Sequence, residues 1–127
     1  MNCVKSIDIL GQQYMICLCE VNEIGNDTDG LYAPYEKKII LRYKKDLLTQ
    51  DSEEIAKTER YKEVIRHELV HAFLHESGVD TATCGNNEEF LATWISRMMP
   101  IITIKTDLIY NAVEAYATCI KGGVQNE

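Results

Sequence analysis

Residues 67–71 read His-Glu-Leu-Val-His, and the stretch from Val64 to Leu74 around them is apolar on nearly every side. Positions four apart on a helix share a face one turn up. His67 and His71 can therefore both offer an imidazole to one cation, with Glu68 beside them to take a proton from a bound water. The apolar surround of Val64, Ile65, Leu69, Val70, Ala72, Phe73 and Leu74 predicts a helix in the interior. Two imidazoles and a carboxylate are costly to bury unless something satisfies them. A zinc ion does so; the blander alternative is a pair of ordinary, partnered histidines.

A catalytic zinc takes three protein ligands and a water, so a third ligand is needed. His75 follows His71 by four residues, but a continuous helix carries it another turn, roughly 6 Å along the axis. His67, His71 and His75 then cannot close on one ion. Glu88 and Glu89 are the other candidates. They open a second helix that a loop of about ten residues can fold back on the first. Acidic residues in a first turn also complement the helix dipole, which is their plainer explanation. Phe90, Leu91, Trp94, Ile95 and Met98 form that helix's apolar face. Glu88 lies nearer its edge and Glu89 on the polar side with Thr93 and Ser96, so helix phase leaves both open.

The rest of the chain predicts an α+β domain, strands first and helices after. Val4 to Leu10, Tyr14 to Val21, a short stretch at Leu31-Tyr32 and Lys38 to Tyr43 read as strands. Gly11-Gln12 reads as a turn, and Asn22 to Gly30 is dense in turn residues. A helix beginning between Ser52 and Glu59 runs to about Ser77, with Gly78 to end it. A second spans Glu88 to Met99 and stops at Pro100; a third spans Asp107 to Lys121. Residues 1–127 are expected to form one domain with a small, mostly antiparallel sheet.

Bulk properties exclude several classes. The net charge of −7 argues against a nucleic-acid partner held by charge, because phosphate binding wants clustered Lys and Arg. No apolar run is long enough for a bilayer, and no secretory core follows Met1. A cytoplasmic protein is expected. Its five cysteines suggest no disulfide framework. Cys17 and Cys19 share a strand face, and with Cys3, Cys84 and Cys119 are read as small, unpaired residues.

Residues 67–78, His-Glu-Leu-Val-His-Ala-Phe-Leu-His-Glu-Ser-Gly, and 88–100, Glu-Glu-Phe-Leu-Ala-Thr-Trp-Ile-Ser-Arg-Met-Met-Pro, together resemble the small zincin metallopeptidases of phages and Gram-positive bacteria. They are similar to the ImmA/IrrE type. The resemblance covers residues 30–102, and it implies a gluzincin arrangement of two pentad histidines and one glutamate from the next helix. In that family the ligand glutamate precedes a helix-ending proline by a fixed interval, and counting back from Pro100 lands on Glu89. The Ala-Asn that usually follows the ligand is Phe90-Leu91 here, and Thr93 stands where some zincins place an aspartate that orients a ligating histidine.

The reaction so implied is peptide-bond hydrolysis. Zinc on His67, His71 and Glu89 lowers the pKa of its water, Glu68 moves the proton, and an extended substrate lies along an edge strand, expected at Lys38 to Tyr43. Tyr32, Tyr35, Tyr61, His75 and Tyr110 are the candidates to stabilise an oxyanion. The partner is a protein or peptide substrate, regulatory proteins included, in a bacterial or phage-infected cytosol. Two alternatives stand beside this: an inactive zincin-like binding or regulatory protein, and a structural zinc domain.

Overall fold

In the computed structural model, which describes residues 1–79 and 88–126, a four-stranded sheet is covered on one face by helices. Strand β1, Asn2–Ile9, and β2, Gln12–Cys19, form a hairpin. Its two turn residues, Leu10 and Gly11, both have positive φ, at 49° and 90°. That is the backbone a two-residue hairpin requires. Strand β3, Gly30–Ala33, and β4, Lys38–Arg42, form a second hairpin.

The two hairpins join through β2 and β4, which run parallel, giving the order β1-β2-β4-β3. The sheet is thus mixed, with two antiparallel pairings and one parallel. This corrects the expected edge: β4 is an inner strand, and the free edge beside the helices is β3. The cause lies in pairing. Strand β4 pairs with β2 on one edge and with β3 on the other, and Ile39, Ile40 and Leu41 are all buried.

One sheet face carries Ile7, Ile9, Tyr14, Ile16, Leu18, Ile39 and Leu41, all buried against the helical layer. The other face holds a small cluster of Cys17, Cys19, Ile24 and Ile40. Cys3 pairs with Cys17 across the hairpin and is bonded to it as a disulfide. This overturns the reading of both as unpaired. Their registration is a property of strand pairing, which residue spacing alone does not disclose. Cys19 is free and buried, Cys119 free and exposed; Cys84 lies outside the described residues.

Helix α1 spans Glu54–Glu76 and buries Tyr61, Val64, Ile65, Glu68, Leu69, Ala72 and Phe73, one stripe at helical spacing. Gly78, with φ 73°, ends it. Its N–H bonds to the His75 carbonyl at 3.1 Å, and that of Val79 to the Leu74 carbonyl at 3.0 Å, the two bonds of a Schellman cap.

Helix α2 spans Glu88–Asn126 without interruption and contains Pro100. The expected break at Pro100 and the separate third helix are both corrected. Proline removes one intrahelical hydrogen bond, and here it sits on an exposed face, where water can serve the freed carbonyl. Trp94, Ile102, Ile109 and Val113 pack α2 into the core. Leu91 and Met98 are half-buried, whereas Ile95 is 48% exposed and so leaves the apolar face assigned to it. No helix among the described residues is long and apolar enough to cross a membrane.

Candidate metal centre

Glu68 falls within the buried stripe of α1, while His67 and His71 flank it on the exposed side. The interior burial expected of the imidazoles is therefore corrected: only the carboxylate is enclosed. The stripe rotates the apolar residues toward the sheet and turns the histidines along the groove beside β3. Among the described residues, the ligand atoms of His67, Glu68 and His71 all lie within 4.8 Å of one another.

The two imidazoles present Nε2 to Nε2 at 3.3 Å, with their planes 78° apart. Two nitrogens bound tetrahedrally at about 2.0–2.1 Å from one ion lie about 3.3–3.4 Å apart. The pair thus has the spacing of adjacent corners of a zinc tetrahedron, and the nitrogen donors suit that ion. Burial pushes the Glu68 carboxyl up from its usual range, and the neighbouring imidazoles His67 and His71 oppose the shift only in part.

Strand β3 presses close to this carboxylate. A Cβ on Gly30 would meet Val64 Cγ1 at 3.0 Å and Glu68 Cγ at 3.1 Å, so the missing side chain is what lets strand and helix approach. A cleft of about 350 Å³ opens here, lined by Asp27, Asp29, Gly30, Arg60, His67 and Glu68 among others. Arg42, 1% exposed, braces the segment that lines it. The Arg42 guanidinium donates to the carbonyls of Thr28 and Gly25, both at 2.7 Å. Asp29 accepts from the Leu48 N–H at 2.8 Å and pairs with Arg42 and Arg60. Nothing in the sequence alone marks Gly30 or Arg42 as part of this site. Lone Gly and Arg residues carry no periodic signal, and their roles arise from long-range contacts. A larger cleft, about 530 Å³, lies by Tyr43, Lys44 and Val113. Its Lys44 is already paired with Glu54 and Glu114.

The other candidates separate. Helix α1 continues through His75, which meets the edges of Tyr32 and Tyr35 and does not join the cluster. Tyr61 is buried and donates to the Arg42 carbonyl; Tyr110 bonds Lys44. Tyr35 is 92% exposed. Tyr32 stacks on His71, and its hydroxyl is buried near Tyr14 without a well-aligned hydrogen bond. None of Tyr32, Tyr61 and Tyr110 has its hydroxyl in the cleft. Glu88 and Glu89 begin α2, but their side chains lie outside the described residues. Thr93 is exposed. Comparison with protein-family models, with curated proteins and with solved structures returned no match.

Proposed function

We propose that the chain is a zinc-dependent metallopeptidase of the zincin kind, with His67, His71 and Glu89 as ligands and Glu68 as the proton carrier. The observation that carries this reading is the 3.3 Å approach of the two Nε2 atoms with the Glu68 carboxylate beside them. When bound, the zinc ion would supply an acidified water and a Lewis acid for a substrate carbonyl.

The chain's own residues do the rest. His67 and His71 present their Nε2 atoms into one space. Glu68 is anchored by burial against Gly30, which holds its carboxylate beside the two imidazoles where it can take and return a proton. In peptide hydrolysis it accepts the proton of the attacking water and delivers it to the leaving amine. The free edge of β3, which begins at Gly30 beside Glu68, replaces β4 as the strand an extended substrate would join.

The exposure of both histidines suits an accessible centre better than a closed structural one. The substrate is a protein or peptide, with regulatory proteins among the candidates and no role for nucleic acid or membrane. Action in a bacterial or phage-infected cytosol would require Cys3 and Cys17 to be reduced there, since disulfides are rare in that compartment. The test is cleavage of an unstructured protein such as casein by zinc-loaded protein, compared with Glu68→Gln. Cleavage by the wild type alone supports the reading. Zinc bound near one per chain without cleavage of casein or a candidate repressor would favour a binding protein.

A further inference from the structure

The geometry points to Tyr32 as the residue that sets the plane of the His71 imidazole, a positioning role that rests on the metal-centre reading above. The two rings lie 5.8 Å apart between centroids and 6° from parallel, an offset stack of the sort aromatic pairs favour. Behind Tyr32 stands Tyr14, 6.3 Å away and 17° from parallel. Tyr14 is fully buried and donates its hydroxyl to Glu76, which Lys37 also grips. The row therefore runs from β2 through β3 to α1 and ends on His71.

A histidine that ligates metal is ordinarily oriented by a hydrogen bond at its second ring nitrogen. Among the described residues His71 has none; its one ring hydrogen-bond contact is His67 Nε2. The side chain is exposed, so without a flat neighbour the imidazole would turn and lose its aim. Tyr32 supplies that neighbour. His67 has no equivalent among the described residues, since its only ring neighbour is His71, edge-on.

The ring of Tyr32, not its hydroxyl, performs this task. The hydroxyl is buried at the far end, without a well-aligned partner. Phenylalanine is therefore the conservative replacement, and leucine keeps the bulk while removing the flat face.

Two measurements decide the matter: zinc affinity by competition with a chromophoric chelator, and the ring-proton NMR signals of His71 in metal-free protein. Tyr32→Phe is expected to leave both unchanged. Tyr32→Leu is expected to lose about 10–100-fold in zinc affinity, the range for losing a group that orients a ligand. Its His71 ring signals should move as the ring current of Tyr32 vanishes. A folded Tyr32→Leu protein with wild-type affinity and unchanged His71 signals would overturn the proposal. If that variant fails to fold, close contacts between Tyr32 and His71 ring protons in wild-type NOE spectra support it, and their absence overturns it. Wild-type protein that shows the stack yet binds no zinc would support the stack and reject the metal-centre reading.

Discussion

Gly30 and Glu68 are in such close register that a Cβ on the glycine would stand 3.1 Å from Glu68 Cγ. The backbone of Gly30 has no positive φ, so adding a methyl sets a steric cost against a smaller gain from the stiffer unfolded chain. Gly30→Ala is expected to lower stability by about 1–3 kcal/mol, the usual cost of overpacking. It should displace the carboxylate and depress hydrolysis more than zinc binding. Chemical denaturation together with a zinc titration checks both. An alanine variant with wild-type stability and rate would show that the contact does not matter.

Glu68→Gln separates binding from chemistry. The amide keeps the shape and cannot accept the proton, so zinc content should persist while cleavage falls by about 10²–10⁴-fold. The metal-free variant should also be more stable than wild type at neutral pH. Burial disfavours the charged carboxylate that glutamine replaces. Thermal melts of the chelated proteins measure this, and an unchanged cleavage rate would reject Glu68 as the proton carrier.

Substitution at the start of α2 tests the third ligand. Glu89→Gln should weaken zinc binding by more than the roughly 10–100-fold that loss of an outer partner costs. Glu88→Gln should leave it near wild type. Chelator competition on the two variants distinguishes them, and the reverse pattern would move the ligand to Glu88.

Glu76 gives the fold a pH-dependent contribution. Burial by itself would raise its pKa, but hydrogen bonds from Lys37 and Tyr14 outweigh it and hold the carboxyl below the usual range. A depressed folded value means stability that is present above the ordinary glutamate pKa of about 4.3 and lost as pH falls below it. Glu76→Gln should therefore be less stable than wild type by about 1 kcal/mol at pH 7. The two should converge as pH drops through the acid range. Urea midpoints at several pH values check this, and a constant difference down to pH 2 would exclude the carboxylate as its source.

Local signals were legible in the sequence. Alternation placed Ile7 and Ile9 on one buried face, and Gly78 marked the end of α1 because only a left-handed residue completes that cap. The His67-Glu68-His71 cluster followed from helix spacing alone. What escaped is non-local. The parallel pairing of β2 with β4, the edge position of β3 and the Cys3–Cys17 bond depend on which strands meet. Pro100 signals a stop, yet its exposed position in a helix anchored by Trp94 and Ile102 makes one lost hydrogen bond tolerable. The apolar residues around the pentad suggested burial on all sides. Neither the period nor the composition showed that the histidine side faces an open groove.

The most direct test is a crystal structure of zinc-loaded protein with anomalous data collected on both sides of the zinc edge. A single anomalous peak about 2.0–2.1 Å from Nε2 of both His67 and His71 is expected, with a carboxylate from the start of α2 and a water completing the shell. Zinc-replete crystals with no anomalous peak between those imidazoles would contradict the metal centre and, with it, the proposed hydrolysis.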